Sequence, residues 1–152
     1  MKRIKSVVAA IDFSDYSRDI LEHSVSLSKG LSARLVLVNV INQKTVELAR
    51  RAFNVEHPNS FLAEKYISDD KERRKRDLEE LLIACGGMVA DAKIIIRYGT
   101  PFEEILMAVD GEDGDILVVG QRGRTNLPEF LFGTTAEKLF RHSPIPVFSI
   151  RK

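Results

Sequence analysis

Asp115-Ile116-Leu117-Val118-Val119-Gly120-Gln121-Arg122-Gly123 is a short apolar run closed by two glycines. After nine intervening residues, Gly133-Thr134-Thr135 stands ahead of a helical pattern. An apolar run of this length bounded by glycine is that of a strand buried on both faces. Glycines after such a strand let backbone amides approach an anion closely. A helix opening at Gly133-Thr134 would add free amides and a positive dipole end, which suit a phosphate. Thr134 and Thr135 supply hydroxyl donors, and Arg122 and Arg124 supply charge. Gly120, Arg122, Gly123, Gly133, Thr134 and Thr135 are therefore candidates to hold phosphate; the plainer alternative is that the glycines only make turns.

The same alternation of strand and helix runs outward from this stretch. Strand-like runs occupy 4–11, 34–41, 92–98, 115–119 and 146–150. Between them, Ile20, Ser24, Leu27 and Leu31 share one helical face, as do Leu78, Leu81, Leu82 and Cys85, with Gly86-Gly87 as a stop. Phe102, Ile105, Leu106 and Val109 repeat the spacing behind Thr100-Pro101-Phe102-Glu103, which has the form of a capping box with proline in the first helical position. Thr134 and Glu137 have the same Thr-x-x-Glu spacing, and that helix ends before Pro144. Residues 42–59 lack a pattern and are expected to form a mobile loop, with a short helix at most around 46–53. The order β-α-β-α-β-α-β-α-β predicts a mainly parallel sheet with helices on both faces. In such sheets ligands bind beyond the carboxyl ends of the strands, where the strand order reverses. That adds Asp12, after the first strand, and Val40 and Asn42, around the end of the second, to the candidate site. Asp12 can equally be a helix-start residue bonding nearby amides.

Composition narrows the function classes. The chain has 152 residues, 44% hydrophobic and 30% charged, with net charge +1. This suits one domain spanning 1–152 and offers no global field for nucleic acid or membrane. No apolar run approaches the roughly 20 residues needed to cross a bilayer, and the basic start leads into a strand rather than a signal peptide. The single cysteine, Cys85, suits a reducing compartment, and together these features predict a cytoplasmic protein. His23, His57 and His142 have no metal-ligand spacing. The run Asp69-Asp70-Lys71-Glu72-Arg73-Arg74-Lys75-Arg76-Asp77 places Asp69 with Arg73, Asp70 with Arg74 and Glu72 with Arg76 at i, i+4, the pattern of a solvated helix face. No aromatics are interleaved to stack on bases, so no specific nucleic acid is expected. No catalytic residue is singled out.

The spacing Gly-x2-Gly-x9-Gly-(Ser/Thr) resembles the nucleotide-binding signature of the universal stress protein family. Three further stretches resemble that family in the expected order: Val7-Val8-Ala9-Ala10-Ile11-Asp12-Phe13-Ser14, Tyr98-Gly99-Thr100-Pro101-Phe102-Glu103-Glu104-Ile105 and His142-Ser143-Pro144-Ile145-Pro146-Val147. The resemblance implies an open five-stranded parallel sheet of order 3-2-1-4-5, Rossmann-like and of the adenine nucleotide alpha hydrolase-like kind. It implies ATP between strands one and four, with Asp12 toward the ribose or adenine, Val40 offering its backbone to adenine, and the glycines with Thr134 and Thr135 on the phosphates, bridged by Mg2+ or Mn2+. It also implies a homodimer through the last strand. Phe13, where many members carry glycine, departs from the pattern and is expected to narrow the mouth beside Asp12; Arg122, Arg124 and Pro128 depart from it in the loop. Three functions stay open: an ATP-binding regulatory module in a stress response, a slow ATPase or phosphotransferase of the same fold, or an interaction protein for protein or RNA with an empty site.

Overall fold

The computed structural model describes residues 2–122 and 133–151, so Gly123, Arg124 and Pro128 lie outside the described residues. The elements run β1 (Ser6–Ala10), α1 (Ser17–Leu31), β2 (Arg34–Asn42), α2 (Gln43–Glu56), α3 (Ala63–Ala84), a 3-10 turn at Val89–Asp91, β3 (Ala92–Gly99), α4 (Pro101–Gly111), β4 (Ile116–Gly120), α5 (Thr134–His142) and β5 (Val147–Ile150). The five strands form one sheet of order β3-β2-β1-β4-β5, parallel at every pairing. The sequence-based fold class holds, including the strand order.

Alternation along the central strands sends side chains to both faces. Val7, Ala9, Leu35 and Leu37 pack beneath α1 and α3, against Leu21, Val25, Leu78 and Leu82. Val8, Val36, Val38, Leu117 and Val119 pack beneath α4 and α5, against Ile105, Val109 and Leu139. In α1 the buried stripe runs through Ser17, Ile20, Leu21, Ser24, Val25 and Ser28, so the face is rotated from the one expected and Leu31 sits at its exposed margin. Serine is tolerated there because its hydroxyl bonds its own helix: Ser24 Oγ donates to the Ile20 carbonyl at 2.6 Å and Ser28 Oγ to the Val25 carbonyl at 3.0 Å.

Three local expectations need correction. The patternless segment is not a loop: α2 fills 43–56, with Asn42 as N-cap accepting from the Lys44 amide at 3.0 Å. Only Val46 of α2 is buried, so no apolar stripe marks it; the cap and charge pairs sustain it. Arg50 and then Arg51 hold the Glu47 carboxyl down at about 2 by hydrogen bonding to it. Neither capping box forms through its threonine. Thr100 is the N-cap of α4, but its hydroxyl accepts from Gln43 Nε2 at 3.2 Å; α5 is capped by Gly133, which makes Thr134 its first residue, and Glu137 pairs with Arg141. Cys85 is half-buried at the edge of the core, and burial pushes its thiol up, away from a reactive thiolate.

The start of β1 is tied to the start of β4 by one carboxylate. Asp115 Oδ2 accepts from the Lys5 and Ser6 amides at 2.8 and 3.2 Å, and Oδ1 meets Lys2 Nζ at 2.8 Å. The Lys2 ammonium first, and then the Lys5 amide, hold the Asp115 carboxyl below the usual range. A lowered native pKa contributes stability that is present above the unfolded-state pKa, about 3.9, and is lost as pH falls through the native one. Asp115→Asn is therefore expected to lower the urea midpoint at neutral pH and to lose less stability between about pH 5 and 2 than the wild type. Parallel pH profiles for the two proteins would show that the carboxylate contributes nothing.

Candidate functional site

Strand β1 ends at Ala10, whereas β2 continues to Asn42 beside β3. The sheet therefore opens at the carboxyl ends of β1, β2 and β4, and a cavity of about 280 Å³ lies there. Its walls bring together eight of the nine residues picked out from the sequence: Asp12, Val40, Asn42, Gly120, Arg122, Gly133, Thr134 and Thr135. Gly123, the ninth, lies outside the described residues.

One end of the cavity is built from backbone. The Gly133 amide donates to the Gln121 carbonyl at 2.9 Å and is therefore already engaged, while the Gly133 carbonyl accepts from the Glu137 amide at 2.9 Å. Thr134, Thr135 and Ala136 supply the first amides of α5, which have no intrahelical acceptor, and no side chain caps them. All three residues line the cavity. Arg122 stands beside them and makes no ion pair with any described residue. Amides without an intrahelical acceptor, a helix dipole and a guanidinium with no ion pair among the described residues form an environment for an anion.

The other end has a mixed character. Val38, Val40, Pro101 and Ile105 give it an apolar wall, and Asn39, Asn42, Thr45 and Arg74 line it as well. Val38 turns its carbonyl toward β1, accepting from the Ile11 amide at 2.9 Å. By strand alternation, Val40 turns its peptide groups the same way, past the end of β1. Asn39, Thr45 and Arg74 were not foreseen from the sequence. Thr45 arrives on α2, which begins earlier than the short helix expected around 46–53, and Arg74 comes from the charge run that reads as a solvated face. That reading fails for one pair: Asp70 and Arg74 are each only 9% exposed, joined at 2.9 Å. Asp69 pairs with Lys65 instead of Arg73, at 2.8 Å on the exposed side.

Asp12 has a local structural role beside its place in the wall. It lines the cavity, and its Oδ1 accepts from the Ser14 amide at 3.0 Å and the Ser17 hydroxyl at 3.5 Å, shaping the turn into α1. Phe13 does not narrow the mouth. With φ of 58° it occupies the left-handed region and lies among Arg73, Asp77, Leu81 and Ala84 of α3. That backbone angle is the physical reason a glycine suits the position.

A sequence profile of the Universal stress protein family matches residues 3–151. The chain is 27% identical to universal stress protein MJ0577 of Methanocaldococcus jannaschii over 161 aligned positions, covering 97% of this chain and 95% of that protein. The solved structure of MJ0577 superposes with a TM-score of 0.73 at 24% identity, covering 99% of each chain. Two further structures share the fold. A universal stress protein in complex with cAMP gives a TM-score of 0.65 at 17% identity, over 99% of this chain and 98% of the other. The Archaeoglobus fulgidus universal stress protein in complex with dAMP gives 0.63 at 15%, over 99% and 100%.

Gly120 has a packing role independent of any ligand. A Cβ there would lie 3.1 Å from Ile20 Cδ1 and 3.2 Å from both the Arg122 carbonyl and Tyr16 Cβ. Gly120→Ala is expected to destabilise the fold by about 1–3 kcal/mol, the usual range for overpacking, as read by urea denaturation. An unchanged midpoint would mean that Tyr16 and Ile20 yield freely.

Proposed function

The chain belongs to the universal stress protein family, and within it we propose that this protein is a binding module for an adenine nucleoside triphosphate, ATP, acting as a regulatory component in a stress response. The observation that carries the reading is the meeting, in one cavity, of the start of α5, an arginine with no ion pair among the described residues and an outward-turned strand backbone. Phosphates would lie against the amides of Thr134, Thr135 and Ala136, with Arg122 neutralising charge and the hydroxyls of Thr134 and Thr135 as further donors. The purine would lie toward Val40, between the apolar wall of Val38, Pro101 and Ile105 and the polar groups opposite. Adenine nucleotides bound to two proteins of this fold, cAMP and dAMP, accord with that chemistry.

The residues present also fit a divalent ion carried on the phosphates. Among the described residues no group of His, Cys, Asp and Glu could itself hold a metal, so Mg2+ or Mn2+ would arrive with the nucleotide. Asp12 is the one carboxylate among the described lining residues, and its Oδ1 is already engaged by Ser14 and Ser17. This favours retention of the nucleotide over its turnover. Among the described residues no helix is long and apolar enough to cross a membrane, which accords with a cytoplasmic module whose single domain spans the chain.

Gly133 has φ −67° and ψ 155°, a conformation open to any residue, so Gly133→Val leaves the backbone unstrained while placing a side chain over the first amides of α5. It is expected to weaken ATP binding about tenfold or more, measured by calorimetry beside a circular dichroism control. Thr134→Ala is expected to cost about 1–2 kcal/mol, one hydrogen bond to a charged group. Full ATP affinity in folded Gly133→Val would remove the phosphate assignment.

Assembly through β5 is part of the same reading. This strand is at the sheet edge, and Phe148 is 43% exposed while Ile150 is 4% exposed. An apolar edge is an aggregation hazard unless paired, and a two-fold pairing closes it. Light scattering at micromolar concentration is expected to give a homodimer, and Phe148→Asp a folded monomer; a 17.1 kDa wild-type species would refute the dimer.

A further inference from the structure

Helix α3 buries one stripe, Asp70, Arg74, Leu78 and Leu82, each four residues from the next. Leu78 and Leu82 pack on the body of the sheet. The stripe changes from apolar to charged where it passes the cavity, which Arg74 lines. An ion pair is costly to bury unless its remaining donors and acceptors are matched, and apolar residues of similar size usually serve stability as well. Here the matching is extensive. Arg74 Nε donates to Asp70 Oδ2 at 2.9 Å, and Nη1 donates to Asn39 Oδ1 at 3.0 Å and, more loosely, to the Val40 carbonyl at 3.5 Å. Arg73 is a second cation on Asp70. Asn39, 1% exposed, donates its Nδ2 to the Ile11 carbonyl at 2.7 Å. A continued parallel ladder would offer that carbonyl to the Val40 amide.

We propose that Arg74, clamped between Asp70 and Asn39, is the positioning residue for the base end of the nucleotide cavity. The clamp holds β2 apart from the end of β1 and sets the Val40 peptide groups where a purine edge can reach them. It rests on the nucleotide reading above and deepens it, assigning base selection to a helix that contributes nothing to the glycine segment. A 6-aminopurine presents a donor and an acceptor side by side, complementary to a strand carbonyl and amide. A 6-oxopurine presents an acceptor where the Val40 carbonyl needs a donor. The 3.5 Å separation leaves that carbonyl available to a ligand amino group, because Arg74 keeps its shorter bonds to Asp70 and Asn39. Without Arg74, Asn39 loses its Oδ1 partner and the strand backbone loses its fixed position.

The test compares ATP, GTP and inorganic tripolyphosphate on wild type and Arg74→Gln by calorimetry, with circular dichroism as the folding control. Wild type is expected to prefer ATP over GTP. Arg74→Gln, in which Asp70 retains Arg73, is expected to lose about tenfold in ATP affinity, to change tripolyphosphate affinity less than about twofold, and to shrink the ATP-to-GTP preference. Equal losses for ATP and tripolyphosphate, or no loss for either, overturn the positioning role. If Arg74→Gln does not fold, the same ratios are read on Asp70→Asn, where a smaller shift in the same direction is expected and unchanged ratios overturn the proposal. Wild type that binds tripolyphosphate no less tightly than ATP refutes the clamp and leaves the phosphate assignment standing; wild type that binds neither removes both.

Discussion

Strand β1 is hydrogen-bonded along both edges, to β2 from Ser6 to Ala10 and to β4 from Val7 to Ala9, and the rest of the molecule takes its place from that. Its Val7, Val8 and Ala9 are wholly buried, so both faces of the sheet must be covered by helices. Parallel neighbours require crossovers, and crossovers are right-handed. The chain first moves outward through β2 and β3, which places α1 and α3 on one face. It then returns across the sheet to β4 on the opposite edge of β1, which places α4 on the other face. The strand order thus reverses between β1 and β4, and the cavity lies beyond their carboxyl ends. Position of the site follows from topology before any side chain is considered.

The parts of this plan that burial dictates are legible in the sequence. Strands covered on both faces read as continuous apolar runs, and helices that pack on them read as stripes, which is why the five strands, the glycine stop after α3 and the class of fold could be taken from the residues. The parts that burial does not dictate are not legible. Helix α2 buries only Val46 and depends on the Asn42 cap and the charges around Glu47, so a search for stripes passes over it. The two threonine boxes fail for a related reason. Whether a threonine hydroxyl turns back onto its helix depends on competing partners from elsewhere, such as Gln43 for Thr100, and on which residue takes the cap, which Gly133 does at α5.

The candidate site divides in the same way. Its backbone end was legible because glycines mark where main chain must come close, and eight of the nine chosen residues do line one cavity. Its side-chain end was not. Asp69 and Asp70 are adjacent, each with an arginine four residues on, and spacing alone treats them alike. They point about 100° apart around the helix, so one turns out to Lys65 and the other in to Arg74. Only the placement of α3 over β2, set by Leu78 and Leu82, decides which pair is buried.

That difference also bears on what the cavity can do. At the backbone end the donors are amides and a dipole, held in place by the helix itself, and they cost nothing to reorganise when an anion arrives. At the opposite end the groups are held by a chain of hydrogen bonds from Asp70 through Arg74 and Asn39 to the Ile11 carbonyl, whose members depend on one another. A base for hydrolysis must direct a lone pair at an attacking water. The Asp12 Oδ1 faces the Ser14 amide and the Ser17 hydroxyl, where it shapes the turn that carries the chain from β1 into α1. A carboxylate committed to that turn is part of the scaffold of the cavity, and moving it to serve as a base would disturb the β1 exit on which the cavity depends.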